Sequence, residues 1–242
     1  MQHVWEQMIH QVISLFHLAE RRLRTPELIE QYQGYRGWWR DAEHQVDGRE
    51  GVYLIPEETA VSQALLETMR SIKDEYLLGD EESALGFELG DLDRLEFSLE
   101  DNRAERRTIG RFARPTDFRF YFRETGGMDL RIEAKTLLVG GDINSAYLSD
   151  RGINRFSDPE EPYTTDLIGG MVAYTVSENR VHWRAKVQER LQSNFEHDLP
   201  EPVGSILFNN VAYKNKKETR DEVLVFHFVL EFDADPRARD EV

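Results

Sequence analysis

The sequence predicts an α/β protein, on three observations. Apolar residues recur at helical spacing over 3–24 and again from Pro56 onward. Residues 115–138, PTDFRFYFRETGGMDLRIEAKTLL, read as a β-hairpin: Phe118, Phe120 and Phe122 alternate, and TGG supplies a turn. Two late apolar runs, VGSILFNNVAY and DEVLVFHFVLEF, read as strands joined by a basic loop. With 242 residues and 40% hydrophobic content, the chain can bury one substantial core.

Along the chain, Val4, Met8, Ile9, Val12, Phe16, Ala19 and Leu23 give the first helix its apolar stripe. His3, His10 and His17 lie on its flank at a spacing too wide for a metal pair and read as surface residues. Pro26 opens a short second helix, and Trp38 and Trp39 cap the core from outside. A third helix starts at Pro56, a residue suited to a first turn, and buries Val61, Leu65, Met69 and Ile72. Glu58 falls about 30° from the centre of that stripe. An acid there needs a reason: either a polar partner inside the protein, or the field of the helix N-terminus.

Residues 76–101 are acidic with scattered Leu and Phe, and FELGDLDRLEFSLED is ambiguous between helix and strand. After the hairpin, GGDINS reads as a turn and SAYLSDRGINRF as a helix or a turn-rich link. TTDLIGGMVAYTV, 164–176, looks like a helix whose Gly169 and Gly170 allow close packing. Residues 182–192 form a further helix before the two late strands. His227, within VLVFHFVL, reads as a packed histidine. No repeat is visible. The expected organisation is an N-terminal helical extension packed on the core (1–49), the main domain (50–235) and a flexible tail (236–242).

Composition removes several classes. There is no cysteine, so no disulfide frame and no thiolate metal site. No stretch approaches the roughly 18–20 apolar residues of a membrane span, and Glu6 interrupts any signal-peptide reading. The expectation is a soluble cytoplasmic protein with no membrane partner. Net charge is −16, which opposes general nucleic-acid affinity. The charge is segregated, however. Residues 73–101 hold eleven acids against two bases, and 103–135 hold nine bases against five acids. A further basic cluster is Lys214, Lys216, Lys217 and Arg220. Either this is ordinary solvated surface, or one face suits a polyanion and the other a different partner.

The second hairpin strand carries Glu133 and Lys135, which alternation places on one face. With Thr125-Gly126-Gly127 as a three-residue turn, Glu124 sits opposite Met128 and Asp117 opposite Lys135, with Glu133 one diagonal step away. A two-residue turn would send Asp117 to the other face. Two carboxylates and an ammonium at one point suit a hard divalent ion: Asp and Glu oxygens hold Mg²⁺, with the Ala134 carbonyl as an extra ligand. The metal acidifies a bound water and stabilises charge on a phosphate, and the lysine positions or deprotonates the attacking water. Glu58 completes such a site. The alternative is an amphipathic hairpin with Asp117 and Lys135 as a surface ion pair, since Arg119, Tyr121, Arg123, Asp129 and Arg131 share their face.

Pro115-Thr116-Asp117 followed by Glu133-Ala134-Lys135 resembles the PD-(D/E)XK nuclease superfamily, the restriction-endonuclease-like fold. Thr116, between proline and aspartate, departs from the literal motif. The resemblance spans roughly residues 50–232 and implies an αβββαβ core, a mixed central sheet flanked by helices, with the N-terminal helical segment added. It implies that Asp117 and Glu133 ligate Mg²⁺ (or Mn²⁺), that Lys135 is the catalytic lysine and that Glu58 is the helix acid. The expected activity is metal-dependent hydrolysis of DNA phosphodiesters, in restriction or antiviral defence. Arg114, Arg155, Lys214, Lys216 and Lys217 would hold the DNA backbone, unless Arg155 simply ties a loop to the core. The acidity implies a helper, a helicase or ATPase subunit or a homo-oligomer. The competing expectation is a non-catalytic module of the same fold that docks a partner through its acidic face; an acidic DNA mimic fits the charge but not the arginine-rich hairpin.

Overall fold

In a computed structural model, the structure describes residues 2–77, 92–99, 117–122, 128–158, 163–164, 166–176, 180–212 and 222–234. The first apolar repeat forms α1 (Gln2–Leu23), which buries every stripe residue except Val4. Helix α2 (Pro26–Gln33) begins at its proline. Trp38 lies inside the core, 2% exposed, rather than capping it from outside. A small hairpin, β1 (His44–Gln45) and β2 (Val52–Tyr53), precedes α3 (Glu58–Leu77). The strands that follow are β3 (Leu95–Ser98), β4 (Phe118–Phe122), β5 (Met128–Thr136) and β6 (Ile168–Thr175). Helix α4 (Arg180–Arg190) then leads to β7 (Asn194–Asp198), β8 (Ser205–Ala212) and β9 (Glu222–Glu231).

Seven strands form one mixed sheet in the order β3-β4-β5-β6-β9-β8-β7. Strands β5, β6 and β9 run parallel at its centre, and antiparallel pairs flank them. Alternation sorts the side chains onto two faces. Phe118, Phe120, Leu130, Ile132, Val172, Phe226 and Phe228 join α1 and α3 in one apolar cluster. Phe16 of α1 centres it, with its ring 4.9 to 5.6 Å from those of Phe118, Phe120 and Phe228. Met171, Ala173, Val225 and Val229 form the second cluster with Trp183 and Val187 of α4 and with Tyr147 and Phe156 of the β5–β6 connection.

Two further expectations are corrected. Residues 164–176 are not a helix: 168–175 are β6, and all eight of its residues are buried. A central strand covered on both faces loses the alternation that marks a half-exposed one. Its glycines do serve close packing, but in a sheet. A Cβ on Gly169 would lie 2.2 Å from the Phe156 ring, and one on Gly170 2.6 Å from Phe226 on the other face.

The hairpin register also differs. Phe122 pairs with Met128 and Phe118 with Ile132, so the connection spans 123–127, outside the described residues, and the expected Glu124–Met128 pair does not form. The slip is two residues, which leaves every side chain on its expected face. It sets Arg119 opposite Arg131, and Asp129 sits between the two guanidiniums at 2.9 and 3.2 Å.

Candidate functional site

The observed register, continued one residue past β4, brings Asp117 opposite Glu133 rather than opposite Lys135. Asp117 Oδ2 accepts a hydrogen bond from the Ala134 backbone N–H at 2.8 Å, which locks this carboxylate to the centre of the Glu133-Ala134-Lys135 triplet. Lys135 Nζ donates to Glu133 Oε1 at 2.5 Å and to the Ala134 carbonyl at 2.7 Å. Glu58, the first residue of α3, reaches the C-terminal end of β5. Its Oε2 accepts from the Thr136 N–H at 2.6 Å and from Thr136 Oγ1 at 3.0 Å. Its Oε1 lies 3.6 Å from Lys135 Nζ. The four expected residues Glu58, Asp117, Glu133 and Lys135 therefore meet, and the acid on the α3 stripe has both a polar partner and a first-turn position.

The site is desolvated, with Glu133 6% exposed. Burial, against the pull of Lys135 and the Ala134 N–H, pushes the Asp117 carboxyl up to about 6. Burial and the facing Asp117 carboxylate push Glu133 up to about 7. Burial alone would lower the Lys135 ammonium, but Glu133, Glu58 and Asp117 outweigh it and raise its pKa. The lysine is thus a fixed cation at neutral pH, a donor rather than a base.

Sequence reading missed three participants. Tyr163 stands beside Glu133 with one hydroxyl proton and two acceptors in reach, that carboxylate and the Arg151 carbonyl at 3.1 Å. Burial and the Glu133 carboxylate hold the phenol far above its ordinary range, so it stays a neutral donor. Thr136 braces Glu58, and Arg40 Nη2 donates to Thr136 Oγ1 at 2.9 Å. All three come from irregular segments or a strand end, where no periodicity marks the direction of a side chain.

Of the residues expected to hold nucleic acid, Arg155 is buried, stacked 5.9 Å over the Tyr163 ring and 3.9 Å from Asp158. That is the placement of a residue that ties its loop to the core. Arg114, Lys214, Lys216 and Lys217 lie outside the described residues, as does most of the acidic run 73–101. His227 is packed as expected: Nδ1 is 3.0 Å from the Tyr147 hydroxyl and Nε2 2.7 Å from Asn209 Oδ1, and burial pulls it down to about 3.

Chemically, the cluster offers two adjacent carboxylates, one buried and one half-buried, a backbone carbonyl on the same triplet and a permanent ammonium. Among the described residues, no group of three or more His, Cys, Asp or Glu is arranged to hold a metal ion. A cation here would rest on two carboxylates, the Ala134 carbonyl and water, a set that Mg²⁺ accepts. Among the described residues, no helix is long and apolar enough to cross a membrane. No protein-family model, curated protein or solved structure matches this chain.

Proposed function

We propose that the chain is a Mg²⁺-dependent nuclease of the restriction-endonuclease-like fold that hydrolyses DNA phosphodiesters. The observation that carries the reading is the convergence of Asp117, Glu133 and Lys135 from two adjacent strands, with Glu58 entering from α3. The order α3, β4, β5, β6, α4, β9 supports it. This is helix, three strands, helix, strand, with the four strands adjacent in the sheet. Helix α4 fills the second helical position, not 164–176. Strands β3, β7 and β8 and helix α1 are additions to that core.

Asp117, Glu133 and the Ala134 carbonyl would hold the metal. Both carboxyls sit near neutral pKa because burial opposes their charge more than Lys135 offsets it, and a divalent cation would supply the remaining compensation. When bound, the ion would acidify a water and stabilise charge on the phosphate. The residues of the chain do the rest. Lys135, held charged, orients the incoming water and offsets the carboxylates. Glu58 Oε1 draws the ammonium toward the N-terminus of α3. Tyr163, whose hydroxyl donates to the Arg151 carbonyl, stands against Glu133 and shields it from water. Water adds to phosphorus and gives up a proton to solvent, the P–O ester bond breaks, and the departing oxygen takes up a proton from solvent.

The test is digestion of plasmid and linear DNA with Mg²⁺ or Mn²⁺ by the wild type and by Lys135→Ala. Wild-type cleavage that needs the metal and falls at least about 100-fold in the variant is expected, the range for a positioned catalytic group. The assay is repeated with helicase or ATPase partners. Cleavage unchanged by Lys135→Ala overturns the assignment. Biological activity that survives both Glu133→Gln and Lys135→Ala favours a non-catalytic module docked through its acidic face.

A further inference from the structure

We propose that Arg40 and Thr136 form a positioning relay that aims the Glu58 carboxylate at Lys135, an inference that rests on the reading of the site given above. Residues 38–40 pair with 55–57, directly before α3. The Arg40 N–H donates to the Ile55 carbonyl at 3.0 Å, the Glu57 N–H to the Trp38 carbonyl at 2.7 Å, and Trp39 bridges Pro56. This pairing delivers the Arg40 guanidinium to the end of β5 and the N-terminus of α3 together.

The chemistry of a hydroxyl sets the direction of the relay. Thr136 Oγ1 has one proton and two lone pairs. Arg40 Nη2, a permanent cationic donor, occupies a lone pair at 2.9 Å. The single proton then points to the remaining acceptor, Glu58 Oε2 at 3.0 Å. The Thr136 N–H gives the same oxygen a second bond at 2.6 Å. With Oε2 held twice, Oε1 is the atom turned toward Lys135 Nζ, at 3.6 Å. Arg40 Nε lies 3.3 Å from Glu57 Oε2, so the same guanidinium offsets the neighbouring acid of the first turn. Arg40 touches no reacting atom; it acts through Thr136. The N-terminal extension thereby completes a site whose other members lie in 50–235.

The experiment uses the full chain and four variants: Arg40→Met, Arg40→Gln, Thr136→Val and Thr136→Ser. The first readout is the backbone amide proton at position 136 by NMR. In the wild type and in Thr136→Ser it is shifted downfield and exchanges slowly. In Arg40→Met, Arg40→Gln and Thr136→Val it moves upfield and exchanges at least about ten times faster, as a charge-assisted bond loosens. The second readout is Mg²⁺-dependent cleavage, where kcat falls about ten-fold in those three variants with KM unchanged and Thr136→Ser stays at the wild-type value. An unchanged Thr136 amide in both Arg40 variants overturns the relay, whatever the cleavage assay gives. A loss carried entirely by KM overturns it as well, because it makes Arg40 a substrate contact. A wild type without cleavage sinks the nuclease reading, while the amide still decides the relay.

Discussion

Glu133 is the residue at which burial and charge conflict most directly. It faces Asp117, hydrogen-bonds Lys135 and is almost wholly shielded from water. The net result is a carboxyl raised from 4.5 to about 7. A group that binds its proton more tightly when folded favours folding below its unfolded pKa, and that contribution is lost as pH rises through the folded value. The window here runs from about 4.5 to about 7. Glu133→Gln keeps the shape of the neutral acid and removes the penalty. In urea denaturation with chelator, wild type and variant should lie close together at pH 5. At pH 8 the variant should be the more stable by about 2 kcal/mol, less than the full shift because Lys135 shares the coupling. A wild type that gains on the variant between pH 5 and pH 8 would mean that Lys135 compensates the charge fully.

At the scale of elements, what could be read from the chain was parity, and what could not was position along a strand. The alternation of Phe118, Phe120 and Phe122 with Leu130 and Ile132 forces Asp117, Glu133 and Lys135 onto one face in either register, because a two-residue slip preserves sides. The slip itself escaped the sequence, since both registers set apolar residues opposite apolar ones. Glu58 was legible from helical spacing, whereas Thr136, Tyr163 and Arg40 lie at strand ends or in loops without a period. Strand β6 was misread because GG within an apolar run suits a tightly packed helix as well as a strand covered on both faces. The strand assignment makes a specific prediction for Gly169→Ala. In β6 the added methyl meets the Phe156 ring at 2.2 Å. Phe156 is fully buried with Tyr163 5.2 Å behind it, so it has little room to retreat. The expected outcome is a loss of about 1–3 kcal/mol in urea denaturation, the usual cost of overpacking.

At the scale of the whole molecule, the two faces of the sheet are tied by charge as well as by apolar packing. Glu20 of α1, 2% exposed, accepts from Arg180 Nη2 of α4 at 2.8 and 2.9 Å and from the Glu231 N–H of β9 at 2.5 Å. One buried acid thus joins a helix from each layer to a central strand. Other cations are also paired within the chain: Arg22 forks onto Glu75 and Lys186 holds Asp47 at the surface, and buried Arg155 stacks on Tyr163. With net charge −16 and these bases already paired with acids of the chain, the chain as a whole repels phosphates more than it neutralises them. Affinity for duplex DNA comes mainly from neutralised phosphates and released counterions, so the isolated chain should bind random duplex weakly. Fluorescence anisotropy at about 150 mM salt should give a Kd no tighter than about 1 μM, the strong end of non-specific binding. The long-range field of the acids is screened over about 8 Å at that salt, so lowering the salt should strengthen the repulsion between protein and DNA and leave binding weak. A partner that carries its own basic surface removes the deficit without any change at Asp117, Glu133 or Lys135. Nanomolar binding by the isolated chain at that salt would place enough basic surface on the chain itself and leave no need for such a partner.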